Sequence, residues 1–289
     1  MGSVLKNRTA IVTGAGRGIG RAIALAFAQE GAQLYLAART ELELVETGTA
    51  CRDLGGVARI VVTDVADWAQ VQHLVATAIH ESPQVDILVH AAGVYGPIGP
   101  IADNDVAAWT RAVEVNLFGT FYLCRALAPH FLQMRHGKII LLGGGGATAP
   151  LPNFSSYAAS KAAVVRLADT LAEELKAFDV QVNVIAPGLV DTRLQDEVLA
   201  AGDLAGPLWD KIKKARETGA GAVSPDVAAS LAVFLASSLS GRLTGKLIAA
   251  PYDPWREWTD KADELNATPM YTIRRLDPFT IKPLIKNLI

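Results

Sequence analysis

Tyr157 and Lys161 stand four residues apart, and Ala162, Val164, Leu167, Ala168, Leu171 and Leu175 continue a helical apolar rhythm behind them. Both side chains therefore share one helix face. A free phenol has a pKa of about 10, too weak an acid to exchange a proton readily at neutral pH. An ammonium held about 4 Å away at an effective dielectric of about 20 would favour the phenolate by up to about 4 kcal/mol, about three pKa units. Such a tyrosine trades a proton with an alcohol or a carbonyl. The chain has six tyrosines and 27 basic residues, so the spacing also arises by chance and is read with its surroundings.

A second chemical feature lies near the start. Thr9 to Val12 is a short apolar strand, Thr13 to Gly20 a glycine turn, and Arg21 to Gln29 a helix. Strand, glycine turn and helix is a phosphate-binding arrangement, because glycines let the backbone approach a pyrophosphate and the helix N-terminus offers unpaired N–H groups. The spacing Gly-x-Gly-x-x-Gly fits in no register, whereas Gly14-x-x-x-Gly18-x-Gly20 does. At the end of the second strand, Gln33 to Ala38, a carboxylate would bond the ribose diol of NAD, but Ala38 and Arg39 stand there. Arg39, helped by Arg17, suits the 2′-phosphate of NADP, so NADP(H) is expected over NAD(H). Glu41 is the competing acid. Thr40 and Glu43 read as a capping box, which places Glu41 in the first turn of the next helix.

The elements that position these residues follow in alternation. A third strand, Arg59 to Val62, leads to Asp64, read either as a residue that opens the next helix or as part of the site, and then to a helix from Trp68 to Ile79. The fourth strand, Asp86 to His90, leads into Ala91-Ala92-Gly93 and a loop rich in glycine and proline. Trp109 to Phe131 has long helical periodicity with Asn116 inside it, facing solvent or serving the site. The fifth strand, Lys138 to Leu142, runs into Gly143 to Gly146, a bare and closely approachable backbone. The helix of Tyr157 follows, then a sixth strand from Gln181 to Ala186 that ends in Pro187-Gly188-Leu189-Val190-Asp191-Thr192. From Gln195 to Ala222 the chain is polar, glycine-dotted and only partly helical. That is the pattern of a mobile lid, about residues 190–222, or else of a plain surface excursion. Pro225 to Ala236 is a helix and Lys246 to Ala250 a seventh strand. The expected fold is α/β, a doubly wound, Rossmann-like parallel sheet of about seven strands with helices on both faces. Gly14, Arg39, Asp64, Gly93, Gly144 and Gly188 all follow strands and so belong to one crevice.

A chain of 289 residues with 51% hydrophobic content fills one generous α/β domain, and a net charge of −2 with no concentrated basic stretch argues against nucleic acid. Cys51 and Cys124 sit in helical segments without metal spacing and read as buried free thiols. No apolar signal region precedes Arg8, and no later run is long and apolar enough to span a bilayer. A cytoplasmic protein with no metal and no membrane partner is expected.

Together these residues closely resemble the short-chain dehydrogenase/reductase family in its common short form, over roughly Lys6 to Ala250. The Thr13–Gly20 turn, Asn116, the Tyr157/Lys161 pair and Pro187-Gly188-x-x-x-Thr192 occur in the family's order. The resemblance implies that Tyr157 is the general acid in carbonyl reduction and the base in alcohol oxidation. It implies that Lys161 lowers the phenol's pKa and holds the nicotinamide ribose. Asn116 would bend its helix and hold a water that links Lys161 to solvent. For the cofactor it implies Gly14, Gly16, Arg17, Gly18, Ile19 and Gly20 around the phosphates, with Arg39, Asp64, Val65, Ala92 and Gly93 toward the adenosine. Pro187, Gly188, Val190 and Thr192 would lie on the nicotinamide side, joined by Tyr157 and Lys161. A small-molecule carbonyl or alcohol substrate and a homodimer or homotetramer are implied as well.

Two departures stand out. The family's Asn-Asn-Ala-Gly is His90-Ala91-Ala92-Gly93, a loss of amides expected to loosen the central sheet or the adenosine site. The family's catalytic serine, thirteen residues before the tyrosine, is Gly144. Losing one such donor costs about a hundred- to a thousandfold in rate. Thr148, Ser155, Ser156 or a backbone N–H is the expected substitute. After the domain of residues 1–250, residues 251–289 form an extension with Trp255, Trp258, Tyr271 and Phe279, too short for a second domain and expected to wrap a neighbouring subunit or close the substrate site. The leading expectation is an NADP(H)-dependent oxidoreductase acting on a carbonyl/alcohol pair. The alternatives are a dinucleotide-binding protein with little or no redox turnover, which Gly144 supports, and a redox-neutral enzyme of the same build.

Overall fold

In the computed structural model, which describes residues 3–82 and 84–275, seven parallel strands form one sheet in the order β3-β2-β1-β4-β5-β6-β7. They are β1 (Thr9–Thr13), β2 (Gln33–Ala38), β3 (Val57–Val62), β4 (Ile87–His90), β5 (Gly137–Leu142), β6 (Val180–Ala186) and β7 (Lys246–Ala249). The order reverses between β1 and β4, which opens a crevice at their C-terminal ends. The strands are apolar on both faces because both faces are covered. Ala10, Val12, Leu34 and Leu36 pack against α1 (Gly18–Gln29), α2 (Glu41–Asp53) and α9 (Pro225–Ala236). Ile11, Tyr35 and Leu88 face the other way, against α3 (Trp68–Glu81), α5 (Gly119–Met134) and α6 (Ser155–Leu175).

The helix expected from Trp109 to Phe131 is built in three pieces: α4 (Val106–Val113), a π-helical turn at Glu114–Phe118, and α5. Asn116 sits in the turn, fully buried. Its amide leaves the helix to bond Val94, accepting from N at 2.9 Å and donating to O at 2.9 Å. A side chain committed to another segment's backbone is a reason for the helix to open locally, and such turns cluster at functional sites.

The segment after Thr192 is more regular than its polar composition suggests. It forms α7 (Arg193–Ala201), a 3-10 turn at Gly202–Ala205 and α8 (Pro207–Thr218). Pro207 opens α8 with its preset φ, and Gly219 closes it in the left-handed region at φ 72°. Val198 of α7, Ala205 of the 3-10 turn and Ile212 of α8 join Tyr95, Phe154 and Tyr157 in a third apolar cluster. The segment read as a lid or a surface excursion thus shares an apolar cluster with Tyr157.

The described part of the extension packs on its own chain. Trp255 and Trp258, each 4% exposed, belong to the core under α9, followed by a short α10 (Ala262–Asn266). Leu247 on the outer edge of β7 donates its N–H to the Tyr271 carbonyl at 2.7 Å, and Lys246 Nζ donates to Thr268 and Met270 carbonyls. The extension thereby covers an otherwise open sheet edge. Phe279 lies outside the described residues. Cys51 and Cys124 are buried free thiols. Among the described residues no helix is long and apolar enough to cross a membrane, and no cluster of metal-ligating side chains forms.

Candidate active site

Tyr157 and Lys161 project from the first two turns of α6 into the crevice, 8% and 5% exposed. Lys161 Nζ donates to the Leu142 carbonyl at the end of β5 at 2.8 Å and stands 5.9 Å from the centroid of the Tyr157 ring. Burial lowers the Lys161 pKa to about 8. Burial also pushes the Tyr157 phenol well above its ordinary value, with Tyr95 adding to the rise. The lowering expected from the lysine does not govern this arrangement. The ammonium is turned to a backbone carbonyl, and the loss of hydration outweighs its pull on the phenol.

Tyr95, which the sequence did not single out, meets the Tyr157 ring edge-on at a centroid separation of 4.7 Å. Its hydroxyl donates to Gln195 Oε1 at 3.5 Å, and its carbonyl accepts from Ser156 Oγ at 3.1 Å. The tyrosine pair is clamped between the loop after β4 and α7. The signal was the glycine- and proline-rich loop itself, whose contact with α6 no local pattern announces.

Gly144 is extended, with φ −176° and ψ 169°, a conformation open to any residue. A β-carbon built there nevertheless lies 2.2 Å from Tyr157 Oη. The phenol occupies the volume in which a serine side chain would start. Of the three hydroxyls expected to compensate, two are engaged elsewhere. Ser156 is buried against Tyr95, and Ser155 Oγ accepts from Trp109 Nε1 at 3.0 Å and Asn104 Nδ2 at 3.3 Å. Thr148 lines the same cavity of about 550 Å³ as Tyr157, Lys161, Gly144 and Gly145.

A neighbouring cleft is lined by Gly14, Gly16, Arg17, Gly18, Ile19, Gly20, Arg39, Asp64, Val65, Ala92, Gly93 and Thr192. Pro187, Gly188 and Val190 line the Tyr157 cavity instead, and Ile19, Ala91, Gly93, Thr192 and Leu194 line both. Cleft and cavity are therefore contiguous. Asn116 lines neither. It sits behind Gly93, whose β-carbon position is 3.2 Å from Asn116 Oδ1 and 3.4 Å from Lys161 Nζ. It also donates to Ser160 Oγ at 2.9 Å, so α6 is tied to the π turn one position from Lys161.

The cleft fits a dinucleotide. Gly14 has φ 65° and its β-carbon would lie 2.6 Å from Ala92 N, while one on Gly20 would meet the Gly14 carbonyl at 2.2 Å. A side chain at either position would close the turn that a pyrophosphate approaches. The N-terminus of α1 has no side-chain cap and no acid in its first turn, which leaves its N–H groups and dipole for an anion.

Charges around the cleft are arranged differently from the local reading. Thr40 forms no side-chain cap, and Glu43 accepts instead from Arg17 at 3.2 Å and Arg193 at 3.4 Å. Two cations at the cleft outcompete one capping bond. Arg193 and Glu43 were not anticipated as site residues, because their meeting joins segments 150 positions apart. Arg39 is exposed at the cleft and makes no ion pair among the described residues. Asp64 pairs with Arg111 and accepts from Ala66 N at 3.0 Å. His90 Nδ1 lies 2.7 Å from Thr13 Oγ1, so the residue that replaces an amide links β4 to β1 rather than loosening the sheet. Its Nε2 is buried without a partner among the described residues, and burial drives its pKa down to about 3.

Comparison with known proteins agrees with this geometry. The family profile described as short chain dehydrogenase matches residues 8–202. The chain is 36% identical over 244 residues to a D-threitol dehydrogenase of Mycolicibacterium smegmatis, covering 83% of this chain and 90% of that one. It is 36% identical over 248 residues to the short-chain reductase protein NovJ of Streptomyces niveus, covering 85% and 93%. A solved gluconate 5-dehydrogenase from Burkholderia cenocepacia, in complex with NADP and tartrate, superposes with a TM-score of 0.76 at 30% identity, covering 86% of this chain and 94% of that one. The chain belongs to the short-chain dehydrogenase/reductase family of nicotinamide-dependent oxidoreductases.

Proposed function

We propose that the protein moves a hydride between NADP(H) and a carbonyl/alcohol pair of a small molecule, with Tyr157 as proton donor in reduction and acceptor in oxidation. The observation that carries the reading is the shared wall of Ile19, Ala91, Gly93, Thr192 and Leu194 between the glycine-lined cleft and the cavity of Tyr157. A nicotinamide dinucleotide held in that cleft supplies or takes up the hydride. Tyr157 and Thr148 hold the reacting oxygen, and Tyr157 Oη delivers its proton to that atom. Lys161 draws a phenolate's charge, and its ammonium returns a proton to Tyr157 and is itself reprotonated from solvent. Asn116 fixes the wall at Gly93 and the turn of α6 that carries Lys161. The walls of α7 and α8 exclude water as the lid of about residues 190–222.

The preference for NADP(H) is supported by Arg39, Arg17 and Arg193 at the cleft, and by the NADP held by the Burkholderia relative. We place the catalytic domain at residues 1–250, with residues 251–289 as an extension that adds Tyr252 to the cavity wall. A cytoplasmic homodimer or homotetramer is the proposed working form. Phe118 and Phe121, 44% and 47% exposed beside Tyr122, supply an apolar face for a second copy.

Gly144 favours a second reading, a dinucleotide-binding protein with little turnover. Consumption of NADPH, followed by its absorbance across a set of ketones and aldehydes, separates the two. The oxidoreductase reading expects turnover that disappears in Tyr157→Phe. Tight NADPH binding with no turnover of any carbonyl overturns it.

A further inference from the structure

The cavity of Tyr157 carries an uneven set of charges. Among the described residues that line it only Lys161 and Lys211 are charged, and none is a carboxylate. Lys161 is committed to the Leu142 carbonyl. Lys211, on α8 of the lid, makes no ion pair or hydrogen bond with the described residues. Its helix neighbours three and four positions away are Pro207, Leu208, Lys214 and Ala215, so no acid on that face can answer it. A lone surface lysine needs no explanation. One that lines a cavity beside Leu208, with no acid among the described lining residues, leaves a net positive field for a ligand to meet.

Much of the rest of the wall is apolar, with Thr148, Thr192, Gln195 and the tyrosine hydroxyls as its neutral polar groups. Leu151, Leu189, Leu194, Leu208 and Leu247 face the cavity with Tyr95 and Tyr252. Among neutral hydrogen-bonding side chains, Gln195 already accepts from Tyr95 and donates to the Val190 carbonyl at 3.4 Å. A polyol would set hydroxyls against these leucines beyond the reach of Thr148, Thr192 and Tyr252, a penalty of about 1–3 kcal/mol for each one left without a partner in general. An apolar skeleton with one negative charge meets no such penalty.

We infer that the substrate is an apolar oxo compound, or the matching alcohol, that carries a carboxylate, and that Lys211 receives that carboxylate at the lid. The inference rests on the reading of this cavity as the carbonyl site. A single lysine acts as a point charge and matches one carboxylate better than a doubly charged phosphate, which favours several donors or a guanidinium fork. Lys211 is exposed, so its attraction is partly screened and weakens with salt.

Calorimetry on the full chain with NADP+ present, using a cyclohexanone carboxylate and its methyl ester, tests this. The acid is expected to bind about fivefold tighter than the ester, the scale of a partly exposed ion pair. Lys211→Met abolishes the difference and Lys211→Glu reverses it, while both keep the parent's thermal midpoint. The inference is overturned if the ester binds as well as the acid, if the preference survives in Lys211→Met, or if neither probe binds. Turnover of neutral ketones is scored alongside. Tyr157-dependent turnover without a carboxylate preference removes this inference and leaves the oxidoreductase reading. A Lys211-dependent preference without turnover of any carbonyl does the reverse.

Discussion

The hydroxyl of Tyr157 stands where a side chain on Gly144 would begin: a β-carbon at residue 144 lies 2.2 Å from Oη and 2.8 Å from Cζ. The glycine is therefore not a serine site with its hydroxyl missing. Gly144→Ser forces the phenol out of place, and displacing a catalytic group by about 1 Å costs about a hundredfold. We expect Gly144→Ser and Gly144→Ala to lower kcat alike, by about ten- to a hundredfold. Measuring both separates crowding from chemistry. A rise in kcat for the serine variant alone would show that Tyr157 makes room at no cost.

Thr148 is expected to do the work usually given to that serine. Thr148→Val keeps the shape and removes the donor, so kcat falls by about a hundredfold. Thr148 is exposed to the cavity, and its loss leaves the thermal midpoint unchanged. Ser156→Ala gives the opposite pattern, because Ser156 is fully buried and donates to Tyr95. It costs about 1 kcal/mol of stability or somewhat more. Equal kcat in Thr148→Val and parent removes the threonine from the site.

The NADP(H) preference proposed above turns on Glu43, which holds Arg17 and Arg193 at 3.2 and 3.4 Å. Glu43→Gln releases both cations, and NADP+ binding is expected to tighten several-fold with NAD+ unchanged. Arg39→Leu is expected to weaken NADP+ by about tenfold, the value of one charge-assisted contact. Titration of both variants with both dinucleotides decides this. Parallel changes for the two cofactors would show that neither residue reads the extra phosphate.

His90 predicts an acid weakness. Its ordinary pKa is 6.5 and burial lowers it to about 3 in the folded chain. Between those values the unfolded chain binds a proton that the folded chain refuses. Stability is therefore full above 6.5 and falls as the pH drops toward 3. The slope approaches about 1.4 kcal/mol per pH unit, so about 2 kcal/mol is lost by about pH 5. Urea unfolding across this range, compared with His90→Asn, isolates the contribution. The asparagine variant should lose the slope, and parallel curves for the two proteins would place the acid sensitivity elsewhere.

The fold was legible because its evidence is local. Apolar runs such as Ala10–Val12 and Leu34–Leu36 have no polar face to show, which is how strands covered on both sides must read. The Thr13–Gly20 turn states its own φ requirements at Gly14 and Gly18. The crevice was legible for the same reason, since Gly14, Arg39, Asp64, Gly93, Gly144 and Gly188 each follow a strand. What stayed hidden depends on distant partners. Thr40 and Glu43 satisfy a local capping rule, yet Arg17 and Arg193 take the carboxylate. Ser155, Ser156 and Thr148 are alike in sequence, and only the packing of Trp109 and Tyr95 separates them. Tyr95 and Lys211 reach the cavity from a loop and from α8, whose positions no periodicity encodes.

The most direct test is the single-turnover rate of carbonyl reduction by NADPH in the parent and in Tyr157→Phe, with NADPH affinity measured in both. Removal of the hydroxyl alone should leave NADPH binding within about twofold and slow reduction by about a hundred- to ten-thousandfold, the range of a positioned general acid. A Tyr157→Phe rate within about tenfold of the parent would contradict the proton-donor role assigned to Tyr157.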